Sequence, residues 1–104
     1  MSRVDVGLLS DFAEGVPHAC TVDGRRLVLV RIENDVYVLD DRCSHEDFPL
    51  SAGDVDTSTG EIECERHGAM FALSTGAPMS LPATRPVATY EVSLVEGRVW
   101  VELP

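Results

Sequence analysis

Two short stretches, Cys43-Ser44-His45 and Cys64-Glu65-Arg66-His67, decide how this chain is read. Each pairs one cysteine with one histidine, and residues 46–63 lie between them. Two thiolates and two imidazoles suit one of two centres. One is a tetrahedral zinc site; the other is a [2Fe–2S] cluster with both sulfurs on one iron and both imidazoles on the other. Zinc-binding sequences usually group cysteine with cysteine and histidine with histidine, because one hairpin or one helical turn holds each pair. Here the two types alternate along the chain, so each of two loops offers one soft and one imidazole ligand. The alternation favours the iron–sulfur reading.

Around these motifs, residues 42–86 are punctuated by Gly53, Gly60, Gly68, Gly76, Pro49, Pro78, Pro82 and Pro86, with short apolar pieces such as Ile62 and Met70-Phe71-Ala72-Leu73. This is the pattern of a loop-rich insertion with a few short strands and little core of its own, which a bound metal centre would staple. Before it, residues 27–32 and 36–39 are aliphatic and β-branched runs flanking Glu33-Asn34-Asp35, which predicts a hairpin with Asn34 at positive φ. After it, Tyr90, Val92 and Leu94 share one face, and beyond Glu96-Gly97 the residues Val99, Val101 and Leu103 face inward opposite Arg98, Trp100 and Glu102. That alternation predicts a second hairpin with one buried face. Asp11-Phe12-Ala13-Glu14 has the form of a capping box, and with Gly15 and Pro17 it predicts a single helical turn. No segment sustains a helical period. The chain reads as all-β.

A length of 104 residues makes one domain over 1–104 with one modest core, and 44 % hydrophobic content is that of an ordinary globule. The net charge of −10 argues against nucleic acid. It suits either a carrier that meets a basic patch on a partner, or plain solubility. No apolar run approaches the roughly 20 residues that span a bilayer, and Met1-Ser2-Arg3-Val4-Asp5 does not open like a secretory signal, so the cytoplasm is the expected compartment. Of the three cysteines, Cys20 lies outside both motifs and is read as a small buried hydrophobe. His18 is read as a surface residue, and Trp100 as packing on the outer register of its strand. Glu46 and Asp47 are either an acidic docking face or solvated loop charges. Nothing resembles a nucleophile–base pair, a phosphate loop or a paired-carboxylate site, so the chain is not expected to be an enzyme by itself.

With the residues Leu50, Gly53, Gly60, Ile62, Glu63, Gly68, Phe71, Thr75-Gly76 and Leu81-Pro82-Ala83 around the two motifs, the sequence resembles the Rieske family, and in particular the ferredoxins of bacterial ring-hydroxylating oxygenases. The resemblance covers nearly the whole chain. It implies an antiparallel β-sandwich that begins and ends with hairpins and carries a cluster-binding subdomain at about 42–86. It implies one [2Fe–2S] cluster, with Cys43 and Cys64 on the inner iron and His45 and His67 on the outer one. Gly68 would let the second loop turn tightly, and Pro82 would belong to a loop covering the cluster. The implied activity is single-electron transfer from a flavoprotein reductase to a terminal non-haem iron oxygenase, as a component of a multicomponent dioxygenase. A small subunit of an assimilatory nitrite reductase and an accessory ferredoxin of cluster assembly are the alternatives. Oligomeric state is left open, a monomer being the simplest expectation.

Departures from the respiratory branch of the family set a further expectation. That branch carries an extra cysteine in each loop, where this chain has Phe48 and Arg66, so no disulfide is expected across the loops. It also carries hydroxyls where this chain has Ala69 and Phe71. Fewer donors to sulfur mean a lower potential, at the low end of the Rieske range, on the order of −150 mV.

Overall fold

A computed structural model places residues 2–44, 47–66, 68–81 and 83–104. Among them, strands fall into three antiparallel sheets. The first holds β1 (Ser2–Leu8), β9 (Val92–Val95) and β10 (Arg98–Leu103), in the order β1-β10-β9. The second holds β2 (His18–Val22), β3 (Arg25–Ile32), β4 (Asp35–Asp40) and β8 (Thr89–Tyr90), in the order β2-β3-β4-β8. The third is small: β5 (Val55–Asp56), β6 (Glu61–Glu63) and β7 (Met70–Ala72), all within the insertion.

The run Leu27, Val28, Leu29, Val30 shows how these parts join. All four side chains are fully buried, so the middle of β3 has no solvent face and needs no polar alternation. Leu27, Leu29 and Val38 pack with Val99, Val101 and Leu103 in the core between the first two sheets. Val28, Val30 and Leu39 face the other way, into a second core with Leu50, Ile62, Phe71, Leu73 and both motif cysteines. The central sheet is thus a wall shared by two cores, one for the sandwich and one for the insertion.

Several local expectations are corrected. The insertion is not poor in core: Leu50, Ile62, Ala69 and Phe71 are fully buried, because it borrows the back face of β3 and β4. In the β3–β4 turn the positive φ belongs to Glu33 (56°), not Asn34. Neighbours hold Glu33 there: Arg31 Nε donates to its carbonyl at 2.7 Å, and its N–H donates to the Glu14 carboxylate at 2.7 Å. Glu14 is therefore diverted from the capping box. The helical turn lies earlier, as a 3₁₀ turn at Leu9–Asp11, and the Asp11 carboxylate closes it by accepting the Leu8 N–H at 3.2 Å.

The alternating stretch 89–94 is not one strand. Tyr90 pairs with Val38 in the central sheet, whereas Val92 pairs with Val101 in the outer one. The chain changes sheets at Glu91, and Leu94 ends 44 % exposed rather than inward. His18 is half-buried, not a surface residue. Its ring meets Phe12 edge-on at 5.2 Å, and its Nε2 is buried without a hydrogen-bond partner among the described residues. Trp100 is half-buried with the Arg3 guanidinium 5.7 Å from its ring centroid, in keeping with packing.

Candidate metal centre

Cys43 and Cys64 each stand just past the end of a strand, β4 and β6 respectively, and each opens a loop closed in the same way. The Cys43 N–H donates to the Phe48 carbonyl at 2.9 Å, and the Cys64 N–H donates to the Ala69 carbonyl at 2.7 Å. Both bonds span five residues, so the two loops are closed at the same spacing. The second is tightened further: Gly68 sits at φ 73° and donates its N–H to the Cys64 carbonyl at 2.9 Å. A side chain at that φ would be strained, which gives Gly68 the role the sequence predicted.

Both cysteines are buried, at 2 % and 1 % exposure, and both belong to the apolar cluster beneath the insertion. Two buried thiols in one cluster, one on each of two matched loops, are the soft half of the expected donor set. His45 and His67, and likewise Glu46 and Pro82, lie outside the described residues. No disulfide forms among the described cysteines. Instead Phe48 and Arg66, the residues at the positions considered for a bridge, meet across the loops, with the guanidinium 6.0 Å from the ring centroid. A cation–π contact joins the loops there.

Bonds the sequence did not announce hold this end of the molecule in place. Asp41 is buried at 5 % exposure, two residues before Cys43, and both its oxygens are used. Oδ1 accepts the Ser51 N–H and Oδ2 accepts the Ser51 hydroxyl, each at 2.7 Å. This clamp ties the end of β4 to the 3₁₀ turn Leu50–Ala52 that follows the first loop. The Ser44 hydroxyl donates to the Arg85 carbonyl at 2.6 Å, and the Met70 N–H donates to Ser80 Oγ at 3.0 Å, so each loop is tied to the segment that leads back to the sandwich. Serine in a loop is too common to have signalled these bonds.

Gly53 was part of the sequence pattern, and its reason is close approach. A Cβ there would sit 1.7 Å from the carbonyl oxygen of Glu63, the residue before Cys64. Its φ of −93° is ordinary, so contact alone excludes a side chain. Gly76 packs as closely, 1.9 Å from the Val87 carbonyl oxygen by the same measure.

The charges resolve one ambiguity. Asp47 is engaged by Arg26 at 3.1 Å and by Arg42 at 3.5 Å, all three side chains more than half exposed. It is a solvated ion pair rather than an open acidic face, and such pairs contribute little to stability. The formal charges of residues 42–48, 64–68 and Arg85 cancel, leaving the −10 on the rest of the chain. Beside the loops, Met79 and Leu81 are exposed, Leu81 at 78 %. Cys20 is half-buried against the sandwich core, and burial, then the Asp41 charge, push its thiol pKa up, as suits an inert thiol.

Comparison with known proteins bears on the same residues. A family model described as the Rieske [2Fe-2S] domain matches residues 2–91. The chain is 33 % identical to the 3-phenylpropionate/cinnamic acid dioxygenase ferredoxin subunit of Shigella flexneri serotype 5b (strain 8401), across all of this chain and 96 % of that protein. Among solved structures it is similar to the ferredoxin of carbazole 1,9a-dioxygenase from Nocardioides aromaticivorans IC177. The TM-score is 0.94 and the identity 36 %, over 97 % of each chain. It also matches a chain in a complex of reduced oxygenase and oxidized ferredoxin in carbazole 1,9a-dioxygenase. There the TM-score is 0.88 and the identity 34 %, over 95 % of this chain and all of that one. Antiparallel sheets and the solved neighbours agree on the all-β fold that the sequence implied.

Proposed function

The chain belongs to the Rieske [2Fe-2S] domain family, and on that premise we propose that it is the ferredoxin of a ring-hydroxylating dioxygenase system. In this role it carries single electrons from a flavoprotein reductase to a terminal non-haem iron oxygenase, in the cytoplasm, and is not itself a catalyst. The observation that carries the reading is the pair of matched loops, each opening on a buried cysteine and each closed by the same five-residue hydrogen bond. Relatives named as dioxygenase ferredoxins, similar over the full length of this chain, support the physiological role over nitrite reduction or cluster assembly.

The donor set fits the family's cofactor. Cys43 and Cys64 would hold the inner iron, and His45 and His67 the outer one. When bound, the cluster supplies a one-electron couple whose potential the protein sets. The chain's own residues do the rest. The apolar cluster around the cysteines keeps water from the thiolates. The loop-closing bonds fix where the ligands start, and Phe48 with Arg66 holds the loops together without a disulfide. The unit that does this is the whole domain, residues 1–104, with about 42–86 as its cluster-binding part.

Ala69 and Phe71 are fully buried and carry no hydroxyl, so the reading includes a potential at the low end of the Rieske range. Protein purified without oxygen should be red-brown, hold about two irons and two sulfides per chain, and show a Rieske-type paramagnetic spectrum on reduction. Colourless protein with stoichiometric zinc would overturn the reading. A double variant, Ala69→Ser with Phe71→Tyr, should raise the midpoint, and a native midpoint well above zero at neutral pH would move the chain to the respiratory branch.

A further inference from the structure

Asp41 is the buried charged side chain of the molecule among the described residues. Ser51 donates to both oxygens of its carboxylate, the N–H to Oδ1 and the hydroxyl to Oδ2, each at 2.7 Å. It is kept out of water, and no cation is paired with it among the described residues. Its own partners are the neutral groups of Ser51, and the nearby Arg42 side chain is 64 % exposed and turned to Asp47. Two peptide units at most separate its Cα from that of Cys43, a span of about 7 Å. Ser51 in turn follows Leu50, which shares the apolar cluster with both cysteines.

From this geometry we propose that Asp41 is a potential-setting residue: a buried carboxylate, clamped by Ser51 two residues before Cys43, whose negative charge disfavours reduction of the bound cluster. The inference rests on the function proposed above and adds to it a residue outside both ligand motifs. The sign follows from charge. An arriving electron makes the cluster more negative, and a nearby carboxylate in a low-dielectric setting opposes that more than it opposes the oxidised state. The missing hydroxyls at positions 69 and 71 leave the reduced state with fewer donors, and Asp41 acts in the same direction by a separate route. Burial, and after it the charge of this carboxylate, push up the pKa of the Cys20 thiol. There too it disfavours added negative charge.

The test is a redox titration of the iron–sulfur protein at pH 7 in three forms: native, Asp41→Asn and Ser51→Ala. Asparagine keeps an acceptor for the Ser51 N–H, and the Ser51 hydroxyl can turn to accept from its amide, so the clamp survives while the charge goes. The Asp41→Asn midpoint should rise by the equivalent of a roughly tenfold change in the reduction equilibrium, about 59 mV for one electron. Ser51→Ala should move the other way by a smaller amount, because the carboxylate keeps its charge and loses a donor that spread it. A purely structural clamp would instead shift both variants in the same direction. An unmoved Asp41→Asn midpoint with a native visible spectrum overturns the inference, as does a rise in Ser51→Ala. If Asp41→Asn fails to assemble, the direction of the Ser51→Ala shift decides alone. A native protein that yields no Rieske spectrum overturns the proposed function itself, and this inference with it.

Discussion

One strand, β3, builds two cores in this molecule, and they differ in what closes them. On the sandwich side, Leu27 and Leu29 are covered by β10, itself paired along its length with β1 and β9. On the insertion side, Val28 and Val30 are covered by Leu50, Ile62 and Phe71, which stand on a 3₁₀ turn and two three-residue strands. Apolar burial is comparable, but the backbone ladders that make a sheet self-supporting are short in the insertion. Its outer end is two tight loops whose first residues are Cys43 and Cys64. The difference teaches where the metal centre acts on stability. The sandwich stands on its own burial, and the insertion is held to β3 and β4 by its inner face, with the proposed ligands at the outer one.

The largest effect expected is loss of the centre. Cys43→Ser or His67→Ala should abolish iron content and visible absorption, because each removes a proposed ligand from a site whose binding is coupled to local folding. Hydrogen exchange on these variants breaks or sharpens the comparison: amides of residues 43–48 and 64–69 should lose protection while those of β3 and β10 keep theirs. Equal loss in β10 would show that the two cores unfold as one. Next comes Phe71→Ala, which empties the middle of the insertion core and should cost about 3–5 kcal/mol in denaturant unfolding. A cost below about 1 kcal/mol would mean that this core carries little of the stability.

Smaller effects separate turn strain from contact. Gly97→Ala, in the β9–β10 turn at φ 77° with open space around it, should cost about 1–2 kcal/mol from conformation alone. Gly76→Ala has the same φ problem at 73° and also drives a Cβ into the Val87 carbonyl. Overpacking adds about 1–3 kcal/mol to the strain, so Gly76→Ala should be the more costly of the two by thermal unfolding. Equal costs would remove close approach as the reason for glycine at 76. The smallest effect belongs to Cys20→Ser. It should leave the visible spectrum unchanged and cost about 1 kcal/mol for placing a hydroxyl against the sandwich core. Loss of colour there would mean that the third cysteine had been misassigned.

Legibility in the sequence followed the range of the interaction. The C-terminal hairpin was readable because Val99, Val101 and Leu103 alternate against one core, a pattern set by strand geometry alone. Stretch 89–94 carries the same pattern and misled, since the change of sheet at Glu91 depends on which partner strand each half meets. Glu14 left its capping box for Glu33, nineteen residues away, and no local rule contains that choice. The same limit hid the Asp41–Ser51 clamp and the buried face of His18.

By itself the sequence determined which donor types the proposed centre can draw on: two cysteines and two histidines in alternating order, a hydroxyl-free Ala69 and Phe71, and a strand-rich chain with a loop-rich middle. Residue type and spacing along the chain suffice for such features, because donor atoms and turn residues act where they stand. Only the tertiary structure decided that β3 would serve two cores, that the two cysteine loops would be closed by equivalent bonds, and that Asp41 would lie buried against Ser51. Those are matters of packing between segments far apart in the chain, and side chains acquire such neighbours only when the fold closes.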